Sequence, residues 1–185
     1  MKPPKIKTCK HCRTKFTPDK PLQMVCGFDC AIEYGVKQKR RIAEKKAKAD
    51  RKVTRERKEK LKSRSDHLRE AQRVFNLWIR KRDELEGCIS CDKPATWQGQ
   101  WHASHLHSVG SHPELRFNED NVWKSCSVCN NHLSGNLLKF KERLIAKIGI
   151  DRVDALLGSY KPMKYTIEEI KAIKALYRHK LREMV

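Results

Sequence analysis

Long apolar runs are missing from this sequence. No stretch approaches the ~20 apolar residues of a membrane span, so an integral membrane protein is not expected. The opening MKPPKIKTCKHC has no apolar leader core, which excludes a secretory signal and points to a reducing cell interior, the cytoplasm. Acidic residues are scarce: 22 Asp+Glu against 42 Lys+Arg leave a net charge of +20. Apolar residues reach only 38%, below the roughly 45–50% of ordinary globular chains, so a single large core is not expected. Nothing calls for a small-molecule cofactor. What fills the 185 residues is positive charge and cysteine, enough for one domain with an extension or two small domains. Such a charge excess needs a polyanion, nucleic acid first and an anionic membrane surface second.

The eight cysteines form four close pairs with none left over: Cys9/Cys12, Cys26/Cys30, Cys88/Cys91 and Cys126/Cys129. Three pairs are C-x2-C and one is C-x3-C. In a reduced chain this spacing favours metal ligation, because two hooks supply the four thiolates of a tetrahedral Zn2+ site with sulfur at ~2.3 Å. The natural partition joins the first two hooks and the last two, giving two structural zincs. A redox C-x-x-C is the other reading, but no βαβ pattern surrounds any hook.

Residues 1–34 read as a small zinc finger whose apolar residues are Phe16, Val25, Phe28 and Tyr34, so metal supplies much of its fold. His11 sits inside a hook as a bystander. Residues 35–65 read as a basic helical linker. Within 37–64 stand 15 Lys+Arg and 4 Asp+Glu, with no Gly or Pro from Val36 to Glu86. Lys39, Arg40, Arg41, Lys45, Lys48, Arg51, Lys52 and Arg55 are the DNA-contact candidates; a solvated spacer is the plainer alternative. A helix over 66–86 follows, capped by Asp66 and stopped near Gly87, with the apolar stripe Leu68, Ala71, Phe75, Trp78, Ile79 and Leu85. Helix also reads from Leu137 to Gly149 and around 153–157. After Gly158 and Pro162, a capping box Thr166-x2-Glu169 opens a C-terminal helix carrying Ile167, Ile170, Ile173, Leu176, Tyr177 and Leu181.

Five of the eight histidines lie from His102 to His132. The order is hook CISC, histidine strand WHASHLH, asparagine loop RFNEDN, then hook and helix start CSVCNNHLSGN. This is the order of an HNH, or ββα-metal, nuclease. Phosphodiester hydrolysis needs a water deprotonated near neutral pH, which suits His, and a cation to offset developing charge.

The runs FNLWIRKRD (75–83), CISC (88–91), SHLHSVGSHPELRFNEDN (104–121) and CSVCNNHLSGN (126–136) resemble the phage NinG/Rap recombination endonucleases, HNH-type enzymes specific for DNA junctions. The hook–His–hook–Asn order is also similar to endonuclease VII-class Holliday-junction resolvases. The resemblance implies a small zinc-stabilised α+β fold with an HNH-like core over 66–150 and a helical region over 151–185. It implies a metal-dependent endonuclease that cuts branched recombination intermediates in the host cytoplasm, as a homodimer, with the C-terminal helix as a candidate interface. His105 would be the general base, Asn121 the loop brace and Asn130 a ligand to catalytic Mg2+ or Mn2+. Ser104 stands where such enzymes usually carry an Asp ligand, and Trp123 where His is common, so His102 or His132 would complete the metal shell. His107 and His112 are packing residues in this reading. Arg116 either contacts phosphate or pairs with Glu119 or Asp120. The alternatives are a zinc-dependent nucleic-acid-binding protein without cleavage, a nonspecific nicking nuclease, and a recruitment protein whose basic helix meets an acidic partner.

Overall fold

The computed structural model describes residues 5–158 and 163–184, and the chain divides into two compact units, Met1–Leu61 and Lys62–Val185. Pro162, expected to separate two helices, lies outside the described residues. Among the described residues no helix is long and apolar enough to cross a membrane.

The first unit pairs two short antiparallel strands, β1 (Lys7–Thr8) and β2 (Lys15–Phe16), ahead of helix α1 (Phe28–Lys60). Helix α1 starts inside the finger, with Cys30 near its first turn, so the expected boundary at 34/35 falls within one continuous helix. At 33 residues it is about 50 Å long. None of its residues is buried, and Phe28, expected in the finger's small core, is 80% exposed. Cys9 is the one buried residue among those described here, so the metal-ligand cluster is the organising centre.

The second unit starts with α2 (Arg64–Arg82). Its N-cap is Ser63, not Asp66. The Ser63 hydroxyl accepts the Asp66 N–H at 3.2 Å, and the Asp66 carboxylate accepts the Ser63 N–H at 2.9 Å. Asp66 is therefore the return half of a capping box, which holds its carboxyl down to about 2. The helix stops at Arg82 rather than near Gly87, and Leu85, placed in the apolar stripe by periodicity, is 93% exposed. The cause is tertiary. Asp83 is buried and accepts the Lys124 N–H at 3.0 Å, while Arg82 grips the same carboxylate and donates to the carbonyls of Glu119 and Val122. These bonds fasten the end of α2 to a distant strand.

That strand is β4 (Val122–Cys126), antiparallel to β3 (Trp101–His105), with Trp101 opposite Cys126 and His105 opposite Val122. Side chains alternate across the hairpin. Ala103 and Val122 join the core that α2 makes with α5 (Ile167–Glu183), where Phe75, Trp78, Phe117, Tyr165, Ile170 and Tyr177 pack. Trp123 joins the core on the other face, built by Leu106, Leu115 and Ile89 with Phe140 and Leu144 of α3 (Leu137–Ile148) and Val153 of α4 (Ile150–Ala155). Helix α3 ends on Gly149, whose φ of 87° suits a residue without Cβ. Helix α5 opens with the Thr166–Glu169 capping box. Its buried residues, Ile170 and Tyr177, pack on α2.

Candidate functional site

Two cysteine clusters come together as the spacing predicts: Cys9, Cys12, Cys26 and Cys30 in the first unit, and Cys88, Cys91, Cys126 and Cys129 in the second. All eight thiols are unbridged. Within each cluster the ligand atoms lie within 4.8 Å of one another, and Sγ pairs stand at 3.5 Å (Cys12–Cys26), 3.6 Å (Cys26–Cys30) and 3.8 Å (Cys91–Cys126). A disulfide needs ~2.05 Å. A tetrahedron with ~2.3 Å metal–sulfur bonds has an edge of about 3.8 Å, so the spacing fits zinc. Backbone N–H groups already point at the sulfurs: Cys26 toward Cys9, Cys126 and Ser90 toward Cys88, and Cys129 toward Cys126. Donors of this kind stabilise thiolate over thiol. Burial opposes the effect at Cys9, yet the amides of Cys12, Cys26 and His11 bring that thiol down to about 6. Both clusters could hold structural zinc. The second would tie residues 88–91 to the end of β4 and the π turn Val128–His132.

At the other end of β3, the half-buried His105 places Nε2 3.1 Å from the Arg116 carbonyl. A carbonyl only accepts, so Nε2 carries the proton and donates, and Nδ1 keeps the lone pair. Burial lowers the His105 pKa; the carbonyl contact opposes this, and the Arg116 charge reinforces it. The ring is thus a neutral imidazole with a defined basic nitrogen. The loop between the strands is held by Asn121, which is fully buried. Its Oδ1 accepts the His107 N–H at 2.8 Å, and Nδ2 donates to the carbonyls of His107 (3.0 Å) and Leu115 (3.1 Å). One side chain therefore clamps the backbone two residues beyond His105 to the turn that leads into Arg116.

The expected ligands for a catalytic divalent ion are arranged differently. By strand alternation His102 and Ser104 leave β3 on the face opposite His105. His102 Nε2 is buried without a hydrogen-bond partner among the described residues, and Ser104 is buried near Gly135. The Asn130 amide donates to the Asn131 side chain at 2.9 Å, and His132 is exposed. Trp123 donates through Nε1 to the Asp120 carbonyl. Among the described residues no three His, Cys, Asp or Glu ligand atoms converge around His105. A carboxylate-poor set of this kind does not fit Mg2+, which is bound through charged oxygens.

His107 packs its ring on His112 at 4.9 Å, and His112 Nδ1 contacts the Glu114 carboxylate at 3.0 Å. Arg116 pairs with neither Glu119 nor Asp120. Glu119 takes Lys180 and the Tyr177 hydroxyl, and Asp120 takes Arg152. The Arg116 head group reaches instead to Gln72 on α2, at 3.2 Å. Sequence reasoning missed Gln72 and the Arg116 carbonyl, because both contacts join residues that no local pattern relates. In the first unit Lys39, Arg40, Arg41, Lys45, Lys48, Arg51, Lys52 and Arg55 are all exposed on α1. Arg40 and Lys52 face Glu44 and Glu56 one turn on, while Lys45, Lys48, Arg51, Lys52 and Arg55 gather around Ala49.

Fold and site together define a small α+β protein with two four-cysteine clusters fit for zinc. The family profile described as Bacteriophage Lambda NinG protein matches residues 1–185. The chain is 36% identical over 197 aligned residues to protein ninG of Escherichia phage lambda, covering 100% of this chain and 96% of that protein. It is 37% identical over 189 residues to protein ninG of Salmonella phage P22, covering 95% and 92%. It is 35% identical over 195 residues to protein ninG of Escherichia phage 933W, covering 100% and 96%. The chain belongs to the NinG family of bacteriophage proteins. No solved structure matches it.

Proposed function

We propose that this protein is an endonuclease of the HNH type that cuts branched DNA recombination intermediates, such as Holliday junctions, in the host cytoplasm. The observation that carries the reading is the His105–Arg116 contact: a neutral imidazole whose Nδ1 is left as the proton acceptor, at the end of a hairpin braced by Asn121. His105 takes the proton from the attacking water as the new P–O bond forms and the leaving oxygen departs. The basic face of α1 holds DNA arms through phosphates, so affinity is salt-sensitive and independent of sequence. Paired cuts across a junction need two sites, and the active species is a homodimer.

The test is cleavage of a labelled four-way junction and a matched linear duplex by zinc-loaded protein, with Mg2+ and separately Mn2+. Junction cutting that falls about 100- to 10,000-fold in His105→Ala, with binding retained, is the expected result for loss of a general base. Binding without cutting in either metal would replace the enzyme reading with a non-cleaving DNA-binding one, the outcome favoured by Ser104 in the usual Asp position. Equal cutting of both substrates would make it a nonspecific nicking nuclease.

A further inference from the structure

The two cysteine clusters are built differently. In the second, Cys88, Cys126 and Cys129 are at most 3% exposed, and side chains of one helix hold the hook that carries Cys88 and Cys91. Arg143 of α3 donates through Nη1 to the carbonyls of Cys91 at 2.6 Å and Cys88 at 3.3 Å, while its Nη2 pairs with Asp92. Asn136, the residue that opens α3, donates through Nδ2 to the Ser90 carbonyl at 2.7 Å. The hook's amides are held as well: the Cys88 N–H donates to the Lys93 carbonyl at 2.9 Å, and the Ile89 N–H to the Lys124 carbonyl at 3.0 Å. None of these bonds uses a thiol, so they fix the hook in ligand geometry independently of the ion.

The first cluster has no such frame. Only Cys9 is buried; Cys12 and Cys26 are exposed and Cys30 is half-buried. Its hook is closed by backbone bonds, from the N–H groups of Cys9, Lys10 and Arg13 to the carbonyls of Thr14, Met24 and Cys9. Among the described residues no side chain donates to the carbonyl of any of its four cysteines. Cys12 and Cys26 bring their sulfurs to 3.5 Å at the surface.

We propose that the two zinc sites have different duties. The second is a locked structural site, with Arg143 and Asn136 as positioning residues. The first, at the root of the basic helix α1, is an exchange site that yields its ion to competing chelators and its thiols to peroxide. Partners behind the ligands are worth about 10- to 100-fold in metal affinity, and thiolate reactivity follows exposure. The oxidation balances within one pair. The Cys12 thiolate attacks a peroxide oxygen, the O–O bond breaks, and the hydroxide released takes a proton to become water. The Cys26 thiolate then attacks the sulfenic sulfur; the S–S bond forms, the S–O bond breaks, and the second hydroxide takes a second proton. Neither duty depends on DNA cleavage.

The test mixes full-length protein carrying two zinc ions per chain with an excess of a chromogenic chelator, and in a second arm with hydrogen peroxide. One ion per chain is expected to leave in a fast phase and the other at least about tenfold more slowly. Cys12→Ser should leave one ion per chain, released at the slow rate. Arg143→Gln should speed the slow phase about 10- to 100-fold and leave the fast phase unchanged. Asn136→Gly guards against misfolding: glycine suits the backbone at φ 48°, and Asn136 makes no side-chain cap bond, so the variant removes the bond to Ser90 without strain. It should also speed the slow phase, with the near-ultraviolet circular dichroism of the zinc-loaded protein unchanged. In the peroxide arm, mass spectrometry of alkylated peptides should find Cys12 joined to Cys26 while Cys88, Cys91, Cys126 and Cys129 stay reduced. Release of both ions at one rate, a fast ion remaining in Cys12→Ser, or earlier oxidation of the second cluster would overturn the division of duties. A slow phase unchanged in both Arg143→Gln and Asn136→Gly would overturn the lock.

Discussion

Replacing Asn121 puts a number on the brace behind His105. The side chain is fully buried and fills three bonds, one from the His107 N–H and two to the carbonyls of His107 and Leu115. Asn121→Ala strands all three backbone groups inside the protein. An unpartnered buried polar group costs about 1–3 kcal/mol, and water entering the vacated space offsets part of this, leaving a loss of about 3–5 kcal/mol. Against a usual total of about 5–15 kcal/mol this is severe. At roughly 2–4 °C per kcal/mol it amounts to a fall in Tm of about 6–20 °C. Asn121→Asp gives a sharper test. It keeps the shape but sets a carboxylate against two carbonyl oxygens, so its folded pKa rises above the unfolded ~3.9. The folded state then binds a proton more readily than the unfolded state, and stability rises as pH falls from 7 towards 4. Urea unfolding of both variants with zinc present, over that pH range, measures this. A loss under about 1 kcal/mol for Ala, or an Asp variant whose stability relative to Ala does not change with pH, would refute the argument.

Three further outcomes follow from the geometry. Cys126→Ser should halve the bound zinc and unfold the second unit, whereas Cys9→Ser should halve it and leave the second unit's near-ultraviolet circular dichroism intact; metal analysis beside the spectra reads both. Burial, reinforced by the Arg116 charge, lowers the His105 pKa. The acid limb of junction cleavage should therefore lie below the ~6.5 of free His, and Arg116→Gln should move it upward. The same group favours the folded state fully above ~6.5 and progressively less as pH falls below that value, because only the unfolded chain then takes up the proton.

Local chemistry was legible in the sequence. Hooks of C-x2-C and C-x3-C spacing announce their partition because each hook closes over a few residues, whatever surrounds it. The Thr166–Glu169 box and the Gly149 stop are equally local, since a cap involves three residues and a positive φ only one. Where two local signals compete, the sequence is ambiguous: Ser63 and Asp66 are both good caps, and only the reciprocal bond between them decides which starts the helix.

Tertiary structure decided the rest. Periodicity carried Leu85 into the apolar stripe, but the Arg82–Asp83 pair is held by β4, some forty residues away, and ends the helix first. Residue type made His105 a candidate base, yet which nitrogen is free depends on a carbonyl eleven residues on. The charge of Arg116 is visible in the sequence; that none of the described carboxylates pairs with it is not, because Glu119 and Asp120 beside it are claimed by Lys180 and Arg152 from other helices. Spacing along a chain determines contacts that close within a turn, while the orientation of a ring or a guanidinium is set by whichever distant group the packed core brings within about 3 Å.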